Sequence, residues 1–151
     1  MRKQIVAVLL ALALVPYSLM ATAQEHTHEH GTVSELNLTL NNGHKWIADK
    51  HTMDSVHAMI AMADKQTASA SLQDLQSLGT QLHDELQNLI RGCKMTGSDH
   101  DQLHAWITAL VPAIQALSKA PDTEAGRLAR AKVSRLLQAF GQHFQATVQA
   151  E

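Results

Sequence analysis

One stripe constrains this fold more than any other feature. Leu72, Leu75, Gly79, Leu82, Leu86, Leu89 and Cys93 recur at alternating steps of three and four residues. That spacing puts all seven on one side of a single α-helix. Such a side must be covered, and helices are the only cover a chain with few strand signals can offer.

Three other segments supply it. A first helix is expected from Lys50 to Thr67, with Met53, Val56, Ile60 and Ala63 inward. The striped helix follows, starting near Ser69 and Ser71 and ending at Gly92 and the Gly97 turn. A third opens at Ser98, with Asp101 placed for a capping box, and buries Leu103, Trp106, Leu110, Ile114 and Leu117. Pro112 removes one of its hydrogen bonds and should bend it near Thr108. After Pro121-Asp122 a fourth runs to about Phe144 through Leu128, Val133, Leu137 and Phe140. Four such helices with short connections predict an all-α fold, an antiparallel up-down-up-down four-helix bundle over residues 49–148.

The residues before the bundle read as two pieces. Arg2 and Lys3, the apolar run Ile5–Val15 and the small-residue site Ala21-Thr22-Ala23 form a secretory signal peptide over 1–23. The run is too short for a bilayer, which needs about 20 apolar residues. The mature chain would be exported, soluble and periplasmic, with no membrane partner once the signal is cut. Residues 24–48 form a His-rich tail and an extended arm, preceding the bundle. Leu36, Leu38 and Leu40 alternate as an extended segment does, and Asn41-Asn42-Gly43 marks a turn. With no second strand in view, the arm is expected to pack on the domain rather than join a sheet.

Charge and composition narrow the partners. Without residues 1–23 the chain carries 10 basic and 14 acidic residues, −4 overall, which argues against nucleic acid. The single cysteine, Cys93, cannot staple its own chain. It is a small buried apolar residue, a metal ligand, or the bridge of a homodimer. No nucleophile elbow, base motif or phosphate loop is present, so a non-enzymatic role is expected.

The expected topology gathers chemistry at one end. There stand His44, Trp46, His51 and Met53 before and in helix 1, and Cys93 and Met95 after helix 2. His100, His104 and Trp106 open helix 3, and Phe140, His143 and Phe144 close helix 4. Each has a plain alternative. The aromatics suit a core, Cys93 continues an apolar stripe, and a His pair four apart is often only solvated.

Two segments, "NNGHKWIAD" (41–49) and "CKMTGSDHDQLH" (93–104), resemble motifs of small exported proteobacterial proteins. Those carry N-G-x-K-W-x-x-D, then C-K, then D-x-Q-L-H. The matching positions are Asn42, Gly43, Lys45, Trp46, Asp49, Cys93, Lys94, Asp101, Gln102, Leu103 and His104, and "FGQHF" (140–144) resembles their closing helix. The architecture is also similar to the cytochrome b562 and cytochrome c-prime bundles, although no C-x-x-C-H is present to attach haem c. The b562 likeness implies a haem b alternative, an electron carrier with Met53 and His143 as axial ligands.

Residue chemistry favours metal ions as partners, copper first, in metal handling or tolerance. Thiolate and thioether suit Cu(I), and imidazole suits several transition metals. His100 and His104 share a helical face. With Cys93, Met95, His51 and His143 nearby, a mixed sulfur and nitrogen site is expected, and zinc on Cys93, His100 and His104 is a variant. The tail makes a separate case. Cleavage after Ala23 would leave Gln24-Glu25-His26, whose amine, two amides and imidazole can ring Cu(II) in a square. His28 and His30 add two more imidazoles. A cofactor-free protein-interaction bundle is the remaining alternative.

Overall fold

The structure, a computed structural model, describes residues 36–147. The expected signal peptide, the beginning of the arm, and His26, His28 and His30 lie outside the described residues. Four helices are present: α1 (Lys50–Asp64), α2 (Leu72–Gly92), α3 (Gly97–Ser118) and α4 (Thr123–His143). Two short strands flank them, β1 (Trp46–Ala48) and β2 (Phe144–Ala146).

Capping accounts for most of the helix starts. The Asp49 carboxylate accepts from Thr52 N at 2.7 Å to open α1. At α2, Ser71 and Asp74 form a reciprocal capping box, and Asp122 accepts from Ala125 N at α4. Each such cap contributes about 1 kcal/mol. α3 departs from expectation. Its flanking residue is Thr96, which makes no side-chain cap, and Ser98 does not serve as one. Gly97 takes a left-handed turn there (φ 63°), and the acid of the first turn, Asp99, is engaged elsewhere.

α1 also stops earlier than its apolar pattern suggests, at Asp64 instead of Thr67. The Arg130 guanidinium of α4 takes the carbonyls of Gln66 and Thr67, at 2.8 and 3.4 Å. That draws the segment into a turn. α3 runs unbroken through Pro112.

All four helices bury apolar residues in one core, where Val56, Met59, Leu75, Leu82, Leu86, Leu103, Leu110, Ile114 and Val133 are almost wholly covered. Close contacts join successive helices. His51 near the start of α1 lies over Gly92 at the end of α2. Gly79 of α2 sits against the backbone of Ser118 at the end of α3, a closeness that a Cβ would prevent. Trp106 of α3 donates its indole N–H to Leu136 O of α4 at 2.7 Å. Among the described residues no helix is long and apolar enough to cross a membrane.

The sheet was not expected. β1 pairs with β2 in parallel, Trp46 with Phe144, Ile47 with Gln145 and Ala48 with Ala146. The extended stretch Leu36–Leu40 is not a strand. It packs on the core through Leu36 and Leu38 and leaves Leu40 exposed. The Asn41-Asn42-Gly43 turn does form. Asn41 and His44 exchange backbone bonds of 2.8 and 2.9 Å, and both central residues have positive φ, 51° and 87°. Two successive left-handed residues are the mark of a type I′ turn, which Asn-Gly favours.

Candidate functional site: the arm-bound end of the bundle

The residues that resemble the exported-protein motifs meet at one end, mostly as tethers. After the turn, Lys45 Nζ donates to Gly141 O at 2.6 Å. The Trp46 indole N–H donates to Thr39 O, folding the arm back on itself. Thr39 N in turn donates to Gln102 Oε1 at 3.1 Å, and Ile47 N to Asp99 Oδ1 at 2.9 Å. Asp49 uses its second carboxylate oxygen to accept from Lys94 N at 2.6 Å. The arm is thus fastened to α3, to the end of α4 and to the α2–α3 loop.

Asp49 is the electrostatic centre of this stitching. Burial pushes its carboxyl up, but bonds from Thr52 and Lys94 and the nearby His51 outweigh that and hold it below the ordinary 3.8. The Thr52 hydroxyl beside it is fully buried without a well-formed hydrogen bond of its own. Around this point Asp49, Lys50, His51, Asp54 and Lys94 line a surface cleft of about 310 Å³. Its charges are of both signs, and Lys50 and Asp54 already pair at 2.6 Å.

Behind the arm the interior is filled. Trp106, Phe140 and Phe144 are nearly inaccessible. Phe140 and Phe144 stack with centroids 4.4 Å apart and planes within 10°, and Trp106 leans on Phe140 at 4.9 Å. Aromatic pairs at these separations contribute about 0.5–1.5 kcal/mol beyond their area.

The expected metal ligands divide into two groups. His100 and His104, one turn apart in α3, are joined by a hydrogen bond between their Nε2 atoms, 3.2 Å apart, with rings nearly perpendicular at 88°. The other expected ligands among the described residues do not join them. Met95 is buried in the core, while Cys93 and Met53 are half-buried against it. His51 gives its Nε2 proton to Asn88 O at 3.0 Å, and His143 gives its Nδ1 proton to Ala139 O at 2.8 Å. Among the described residues no three of His, Cys, Asp and Glu gather as a metal group. The Cys93–His100–His104 set therefore does not assemble, because Cys93 ends α2 and packs inward.

Sequence reasoning overlooked Asp99 as a tether and gave Asp49, Lys45 and Gln102 no structural role. The last three carry a signal only as motif positions, and Asp99 carries none. No protein-family model, curated protein or solved structure matches the chain.

Proposed function

We propose that this is an exported transition-metal-binding protein, copper first, acting in metal handling or tolerance. We read it as an antiparallel up-down-up-down bundle behind a cleaved signal peptide. Three contacts support that arrangement: the start of α1 with the end of α2 (His51 and Gly92), the early part of α2 with the end of α3 (Gly79 and Ser118), and the starts of α2 and α4 (Leu75 and Gly126). The resemblance to small exported proteobacterial proteins accords with the export.

One observation carries the metal reading: the His100 and His104 Nε2 atoms stand 3.2 Å apart on one helical face. Imidazole nitrogens about 2.0 Å from a shared ion lie about 3.3 Å apart around a tetrahedral centre. Around a square-planar centre the same bond length gives about 2.8 Å. The pair's spacing is close to the first. Copper leads because Cu(II) binds nitrogen sites more tightly than its divalent neighbours. In the tail, Gln24-Glu25-His26 would offer the square of four nitrogens, with His28 and His30 beside it.

The haem alternative through Met53 and His143 has no comparable support. Trp106, Phe140 and Phe144 occupy the interior at that end. The test is a Cu(II) titration of the purified chain in three forms: unaltered, with His100→Ala and His104→Ala together, and with His26, His28 and His30 all changed to Ala. The α3 double variant should lose one binding event, with affinity there falling at least about tenfold. Undiminished binding in both variants would refute the ligand assignment.

A further inference from the structure

We infer that the His100–His104 pair is half of a four-imidazole site, completed by the same pair on a second copy of this chain. The inference rests on the metal reading of the pair and adds where the missing ligands come from. A transition-metal ion held by nitrogen and sulfur prefers four ligands, and structural sites are closed by protein donors. Here two nitrogens share a hydrogen bond at 3.2 Å, the spacing of one edge of a tetrahedron, and an ion would replace the proton between them. Among the described residues no carboxylate, thiol or third histidine stands with them.

A twofold axis through the ion generates the opposite edge from an identical pair. That is the self-complementary arrangement in which most dimers are built. The surface around the pair suits it. His100, His104, Ile107 and Val111 follow one another at helical spacing along a single face of α3. His104 is exposed, and the other three are half-buried. Ile107 and Val111 lie against the core, so two copies meeting at the ion would also cover apolar surface beside it. Neighbouring Thr108 turns its hydroxyl back to His104 O at 2.8 Å and offers no competing donor. The arm reaches α3 at Gln102, two positions from each histidine, and at Asp99, beside His100 and about 140° round the helix from His104.

The experiment is sedimentation velocity during a Zn(II) and then a Cu(II) titration. It uses the full chain with His26, His28 and His30 changed to Ala, so that the tail is silent. Mass should double as the ion approaches half an equivalent per chain. It should fall back with excess metal, when each pair takes its own ion, and also with a chelator. His104→Ala in the same background should remain monomeric throughout. A monomer that binds one ion per chain with no doubling would overturn the shared site while leaving the metal reading intact. Doubling seen only when the tail histidines are present would overturn it too, because the tail would then supply the ligands. Equal metal binding with and without His100 and His104 would instead overturn the metal reading itself.

Discussion

Lys94 N and the Asp49 carboxylate are joined at 2.6 Å across 45 positions of sequence. The same carboxylate caps α1 through Thr52 N. One side chain therefore both starts the first helix and holds the loop that ends the second. Asp49→Ala removes both bonds and should cost about 2 kcal/mol. Asp49→Asn keeps a good cap and should cost clearly less. Urea denaturation followed by circular dichroism measures both.

Acid should expose the same residue. The Asp49 carboxyl is held below 3.8 in the folded chain. Its contribution is therefore complete above the unfolded value and is lost as pH falls through the lower folded value. Asp74, held down by Ser71, acts in the same direction. Stability should decline from about pH 4 downward, and the decline should be shallower in Asp49→Asn. Equal slopes in the two proteins would show that Asp49 is not titrating in this way.

Two glycines near the same end should respond in opposite senses to alanine. At Gly92 a Cβ would occupy the place of the His51 ring, so Gly92→Ala should destabilise by about 1–3 kcal/mol. At Gly141 nothing lies within 4 Å, and Gly141→Ala should stabilise α4 by about 0.5–1 kcal/mol. Paired thermal melts suffice.

The arm depends on an indole. Trp46→Phe keeps most of the ring but loses the donor to Thr39 O. Amide exchange over 36–45 should accelerate several-fold, with little change in the helices. If the helices loosen equally, the arm is part of the global fold and not a separable strap.

The helices were legible because each carries its instruction locally. The α2 stripe needs no knowledge of its neighbours, and Asn42-Gly43 specifies its own turn. The β1–β2 pairing was not. Trp46–Ala48 is too short to alternate, and Phe144 looks like the last step of the α4 stripe until its partner is known. The His100–His104 pair was readable from spacing alone. Cys93 and Met95 misled because a soft donor at a helix end is also a good core filler, and only packing decides between the two uses. Asp99 carries no mark in the sequence, because its carboxylate is spent on a strand far away along the chain.

The parallel strands have a mechanical consequence. β1 lies just before the first helix and β2 just after the last, and both run in the same direction. A pull applied between the two ends of the chain drags them past each other lengthwise. The hydrogen bonds between them are then loaded together in shear, rather than opened one after another like a zip. Three residue pairs at the seam thus stand as a latch in that load path, beside the arm's own tethers to α3 and α4.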